Sequence, residues 1–258
     1  MNLNLGGKTA LVTGASRGIG LAVVRKLAEE GARVMGVART VTPELEDASK
    51  LAVSADLSTP GGAEAALAEL GGIDILVNNV GAGDPDVMKL GGFLEIDDAQ
   101  WHDLFNLNFF SAVWMSRAAL PSLLERRGAI VNTGSINALV PAQGPVGYSE
   151  AKAALVAFSK RLSEEFGPQG VRVNTVSPGG VGTGLWRDPD GFGSRVAASM
   201  GMSHSDLLSA MPTAFGVTSG RIAEPEEIAA LIVFVASSAA EYLVGANIVI
   251  DGGTVKTV

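Results

Sequence analysis

Cysteine is absent from the 258-residue chain. That excludes disulfides, thiolate metal sites and cysteine nucleophiles, and it suits a reducing compartment. Histidine is almost as scarce, with His102 and His204 the only two, so an imidazole-built zinc site is not expected and no metal is assigned. No apolar run approaches the ~18–20 residues of a membrane span, and the opening MNLNLGGKTALVTGAS has no basic region ahead of a sustained apolar core. The expectation is a soluble, cytoplasmic protein without membrane contact. Basic residues are outnumbered, 19 Lys and Arg against 27 Asp and Glu, for a net charge of −8. Neutralising phosphates along a nucleic acid needs a concentrated basic face, so no nucleic-acid partner is expected and the acidity reads as solubility.

What is present is apolar residue and glycine: 47% hydrophobic content and 33 glycines, enough for one substantial core in one domain spanning 1–258. Short apolar runs recur at 8–13 (KTALVT), 32–38 (ARVMGVA), 51–56 (LAVSAD), 73–79 (IDILVNN), 128–135 (GAIVNTGS), 171–177 (VRVNTVS) and 246–251 (ANIVID). Helical patterns lie between them. In the first, Ile19, Val23 and Leu27 recur every four residues until Gly31 stops the helix; others are expected near 101–125, 149–166 and 226–238. Near-continuous apolar strands alternating with helices require a sheet covered on both faces. The fold class is therefore α/β, a doubly wound, seven-stranded, mostly parallel sheet.

One connection is too long for this economy. More than forty residues separate Pro178 from Pro225 without an obvious strand, and loops of that length are usually functional or disordered. Trp186, Phe192, Met200, Met202, Leu207, Leu208, Met211 and Phe215 make it too apolar for disorder. A substrate lid over about 184–222, containing short helices, is expected. His204 within it reads as a solvated polar position, and Asp97 and Asp98 ahead of Trp101 read as helix capping residues.

Two motifs carry chemistry. TGASRGIG, Thr13–Gly20, joins the first strand to the first helix. Glycines at 14, 18 and 20 permit a tight turn and close phosphate approach, and the helix N-terminus presents unpaired N–H groups to a dinucleotide. At the end of the second strand, GVART offers Ala38 and Arg39 where an acidic residue would accept from a ribose hydroxyl. With Arg17 as a second cation, this favours NADP(H) over NAD(H). The second motif is YSEAK, in which Tyr148 and Lys152 stand four residues apart, one turn of one helix face. Alone, such a pair reads as ordinary helix surface.

Together these segments resemble the short-chain dehydrogenase/reductase family, 3-oxoacyl reductases in particular, over essentially the whole chain. The resemblance rests on TGASRGIG, Asp56-Leu57, NNVG at 78–81, Asn108, Ser135, YSEAK and PGGVGT at 178–183. Val80 stands where the family more commonly has alanine. The resemblance implies a Rossmann fold and four catalytic residues: Tyr148 as general acid or base, Lys152 to tune it and hold the nicotinamide ribose, Ser135 to orient the substrate oxygen, and Asn108 to hold a water on a proton path. A cation at ~4 Å is worth up to about 4 kcal/mol in a dielectric of ~20, so Lys152 is expected to lower the Tyr148 pKa.

The implied cofactor set is Gly14, Ser16, Arg17, Gly18, Ile19, Gly20, Arg39, Asp56, Leu57, Asn79, Gly81, Tyr148, Lys152, Pro178, Gly179, Val181 and Thr183. Within it, Asp56 meets the adenine amino group, and Val181 and Thr183 meet the nicotinamide carboxamide. The implied activity is NADP(H)-dependent interconversion of a ketone and a secondary alcohol, the substrate a small-molecule ketone, 3-oxoacyl thioester or polyketide-like carbonyl. A non-catalytic dinucleotide sensor and an NAD-dependent sugar or steroid dehydrogenase are the competing readings. A homotetramer is the implied assembly.

Overall fold

The computed structural model describes residues 2–68, 71–81, 88 and 91–256. Its strands are β1 (Thr9–Thr13), β2 (Arg33–Ala38), β3 (Leu51–Ser54), β4 (Ile75–Asn78), β5 (Ala129–Thr133), β6 (Arg172–Pro178) and β7 (Asn247–Ile250). They form one sheet in the order β3-β2-β1-β4-β5-β6-β7, every pair parallel. The helices are α1 (Gly18–Glu29), α2 (Pro43–Ala48), α3 (Pro60–Leu67), α4 (Asp98–Phe105), α5 (Ser111–Arg126), α6 (Tyr148–Phe166), α7 (Gly184–Arg187), α8 (Phe192–Ser199), α9 (His204–Ala214) and α10 (Pro225–Ala236). Among the described residues no helix is long and apolar enough to cross a membrane. No cluster of His, Asp and Glu among them could hold a metal.

Alternation along the strands divides the core in two. Leu11, Leu76, Ile130 and Val173 stand side by side in register and pack, with Met115 and Leu123 of α5, on one face. One residue further along, Val12, Val77 and Val131 face the other way, against Val23 and Leu27 of α1 and Ile228 and Ile232 of α10. All of these side chains are fully buried. Each contributes about 1.5–3 kcal/mol relative to exposure, and a one-residue register slip would lose both faces together.

A polar thread crosses this core. Asn78 Nδ2 donates to Asn132 Oδ1 at 2.8 Å and to Ser116 Oγ at 3.0 Å, and Asn132 Nδ2 donates to Ser159 Oγ at 2.7 Å. These bonds fix α5 and α6 in phase on β4 and β5. Although Asn78 Oδ1 is left without a partner, directional bonds of this kind favour one arrangement, where apolar contacts alone would tolerate sliding.

The strand order reverses between β1 and β4, so the loops leaving their C-terminal ends part and leave a crevice. Two sequence expectations change. The helix expected over 101–125 is two helices joined by a π turn at Asn106–Phe110. The connection from Pro178 to Pro225 holds α7, α8 and α9 and also a parallel bridge between Val181 and Ala223. Of the apolar residues in that connection, Met200 is 64% exposed. Asp97 caps α4 as expected, its carboxylate accepting from Gln100 N–H at 2.8 Å.

Candidate active site

A cleft of about 880 Å³ opens over the C-terminal ends of the strands. Every residue expected at the cofactor lines it except Gly20. Gly20 lies beneath, where a Cβ would collide with the Gly14 carbonyl, so glycine here sets how closely α1 approaches β1. Gly14 and Gly18 have φ of +63° and +55°, left-handed geometry that other residues adopt only with strain. The turn delivers the N-terminus of α1 to the cleft without a side-chain cap, leaving its first N–H groups for an anion. Thr13 locks the facing loop, its Oγ1 accepting from the N–H groups of Asn79 at 2.9 Å and Val80 at 3.1 Å. Val80 packs at the edge of the α5-side core, so the departure from alanine is absorbed there.

Arg17, Arg39, Thr40 and Thr42 line the end of the cleft beside β2. Asp56 lines it too, but its Oδ1 already accepts from the N–H and hydroxyl of Ser58, at 3.0 and 2.7 Å. Those bonds hold its pKa below the usual value, with a smaller contribution from Arg39.

At the other end, Ser135 follows β5 and Tyr148 opens α6, with Lys152 one turn on. Lys152 is 2% exposed; its Nζ donates to the Thr133 carbonyl at 2.9 Å and lies 5.9 Å from the Tyr148 ring centre. Burial lowers its pKa to about 8. The expected depression of Tyr148 by Lys152 does not arise: burial pushes the phenol above its usual value, and a hydrogen bond with Ser135 opposes that. The ammonium is too far, and too engaged with Thr133, to outweigh desolvation. A phenol in this state keeps its proton at neutral pH.

Asn108 does not reach the cleft wall. It sits 1% exposed in the π turn, donating from Nδ2 to the Leu104 carbonyl at 3.0 Å. Its Oδ1 has no partner. A Cβ on Gly81 would come within 3.1 Å of that oxygen and 2.8 Å of Lys152 Nζ, so both groups converge on one glycine. An unpartnered buried acceptor beside an ammonium is a site for a bridging water. The left-handed glycines, the uncapped helix end and this oxygen all fit a dinucleotide with a proton path behind it.

Over the catalytic end stand Trp186, Phe192, Val196 and Phe215. Trp186 meets Phe192 and Phe215 edge to face at 5.7 and 5.6 Å. Behind them Leu207, Met211 and Ala197 form a separate small core. His204, expected to be solvated, instead holds α9 to α7 through Nε2, 2.6 Å from the Trp186 carbonyl. The segment is tied down at Glu224, whose carboxylate accepts two bonds from the Arg187 guanidinium at 2.8 and 2.6 Å.

Sequence reasoning missed Thr13, the Thr133 carbonyl and Asn137. Thr13 acts through a hydroxyl whose partners are the N–H groups of a distant loop, and Thr133 through its carbonyl, so no side-chain pattern encodes either. Asn137, two residues beyond Ser135, lines the cleft and bonds Ser135 twice.

A parallel sheet with a dinucleotide cradle at its switch point and a Tyr–Lys helix face beside it defines an α/β oxidoreductase site. Residues 8–190 match the short chain dehydrogenase family. A 3-oxoacyl-[acyl-carrier-protein] reductase of Vibrio cholerae is 34% identical, covering 97% of this chain and 98% of the relative. The meso-2,3-butanediol dehydrogenase of Serratia marcescens is 33% identical over 95% of this chain and 94% of its own. L-Sorbose reductase from Gluconobacter frateurii, solved with NADPH and L-sorbose, superimposes with a TM-score of 0.90 at 33% identity, covering 100% of both chains. The chain belongs to the short-chain dehydrogenase family.

Proposed function

We propose that this protein is an NADP(H)-dependent oxidoreductase that interconverts a carbonyl and a secondary alcohol, with Tyr148 as its acid. The observation that carries the reading is the cleft itself, with Arg17 and Arg39 at one end and Ser135, Tyr148 and Lys152 at the other. NADPH, when bound, supplies the hydride. Ser135 orients the substrate oxygen, and the protonated phenol of Tyr148 delivers the proton to it as alkoxide charge develops. Lys152 and Asn108, with a water at the orphaned Oδ1, resupply that proton from behind. The relatives named above act in their own names on an acyl chain, a diol and a ketose, which supports carbonyl and alcohol chemistry without choosing among substrates. A sensor without turnover would have no use for the acid.

The test is a panel of carbonyl compounds with NADPH and NADH, following loss of reduced-nicotinamide absorbance. Turnover with NADPH preferred is expected. Arg39→Ala should reduce that preference by about tenfold or more, since a charged hydrogen bond to a 2′-phosphate is worth about 1.5–3 kcal/mol. An NADH preference in the unaltered protein would defeat the coenzyme assignment.

The assembly we favour is a homotetramer in the cytoplasm. Its support is the aromatic file along α4, the π turn and α5, running through Trp101, Phe105, Phe109, Phe110 and Trp114. Phe93 beside it is 68% exposed and Phe110 38%, a patch of the kind that marks an interface. A solution mass four times the chain's 26.4 kDa is expected at micromolar concentration, and a monomer there would count against it.

A further inference from the structure

The hydroxyl of Ser135 has one proton, and here it is committed. Ser135 Oγ donates to Asn137 Oδ1 at 3.1 Å and accepts from the Asn137 N–H at 3.1 Å. To orient a substrate carbonyl, that proton must turn from Asn137 to the carbonyl oxygen. The carboxamide cannot readily follow. Its Nδ2 occupies the space a Cβ would fill at Gly144, so it is packed against backbone. Asn137 Oδ1 is then left in the cleft as an acceptor without a donor, and such a group costs more than the bond it replaced would have contributed.

The missing donor has a definite place. It must lie a hydrogen-bond length from an acceptor that is itself a hydrogen-bond length from Ser135 Oγ. Two oxygens on adjacent carbons satisfy both, one the reacting carbonyl and the other a hydroxyl giving its proton to Asn137. Charge narrows the choice further. Among the described residues lining the cleft, the charged ones are Arg17, Arg39, Asp56 and Lys152, and only Lys152 is at this end, bonded to Thr133. Among the described residues, a carboxylate next to the carbonyl would face the lone pairs of Oδ1 with only Lys152, already bonded to Thr133, to offset it.

We infer that Asn137 is a specificity-determining residue, and that the substrate is an uncharged carbonyl compound bearing a hydroxyl on the neighbouring carbon. The reduced partner is the corresponding vicinal diol. The inference rests on the oxidoreductase reading and adds the substrate class to it. In the reduction, hydride adds to the carbonyl carbon and the Tyr148 proton to its oxygen, while the neighbouring hydroxyl only donates a hydrogen bond and is unchanged.

The experiment compares 1-hydroxy-2-butanone with 2-butanone, both with NADPH, in the unaltered enzyme and in Asn137→Ala. The hydroxyketone should be favoured at least about tenfold in kcat/KM by the unaltered enzyme, because a site built to bond a hydroxyl rejects the analogue lacking it. Asn137→Ala should bring the two substrates within about threefold of each other, mainly by lowering the rate with the hydroxyketone. A structural defect would depress both substrates together and leave their ratio alone. Gly144→Ala, which displaces the same carboxamide, should narrow the ratio in the same direction. Equal kcat/KM in the unaltered enzyme, a variant that keeps the preference, or turnover of neither compound overturns the inference. Only failure across the whole carbonyl panel overturns the oxidoreductase reading as well.

Discussion

Tyr148→Phe is expected to lower the rate of carbonyl reduction by about 10²–10⁴-fold, the usual contribution of a positioned general acid, while NADPH affinity stays within a few-fold. The substitution removes one oxygen and keeps the ring, so the first turn of α6 and the wall of the cleft persist. What disappears is the phenolic proton beside Ser135, at the point where the alkoxide forms. The pH profile gives an independent check. Because burial raises the phenol above its usual value, the donor is fully protonated at neutral pH and reduction should be flat there, declining only as alkaline pH removes the proton. Oxidation of an alcohol needs the deprotonated form and should rise over the same range. Coenzyme titration and single-turnover rates separate the two effects, and a variant that turns over at the original rate would refute the role given to Tyr148.

Lys152→Met should lose activity by about 10²-fold or more and, at neutral pH, gain stability. Burial lowers the Lys152 pKa from 10.5 to about 8. At pH 7 both folded and unfolded chains carry the ammonium, and the folded state bears the full cost of holding it out of water. Between pH 8 and 10 the folded chain releases the proton while the unfolded one keeps it, so the unfolded state binds more protons and the stability of the unaltered protein rises with pH. At about 1.4 kcal/mol per pKa unit, the advantage of the methionine variant should shrink by roughly 2–3 kcal/mol from pH 7 to pH 10. Loss of the 2.9 Å bond to the Thr133 carbonyl offsets part of the gain at every pH. Denaturant unfolding at the two pH values measures the difference, and a gap that did not change with pH would mean that Lys152 is not a desolvated ammonium.

Much of this architecture is legible in the chain because the sheet is buried on both faces. Its strands read as continuous apolar runs, and the real ones differ from the expected ones chiefly by trimming at the ends, as where 73–79 contracts to Ile75–Asn78. The glycine turn was legible because Gly14 and Gly18 answer to a backbone requirement that holds in any protein. The π turn was not: spacing of apolar residues cannot distinguish one extra residue in a run as aromatic as Phe105, Phe109 and Phe110. Neither was the partnership of Ser135 with Asn137, which depends on a third residue, Gly144, brought alongside by the fold. The Tyr148–Lys152 spacing was read correctly and its electrostatics were not, since helical proximity fixes a distance but says nothing of how dry the surroundings are.

The interruption at Asn106–Phe110 has a geometric consequence for the surface as much as for the interior. One surplus residue in a helix advances everything beyond it by about 100° around the axis. Phe110 and Trp114, four residues apart, stack at 5.7 Å on one side of the rod, while Asn108, two residues before Phe110, is buried beside Gly81 on the other. Removing the surplus residue would rotate α5 by about 100° relative to α4, so the buried Asn108 and the half-exposed aromatic pair would shift together.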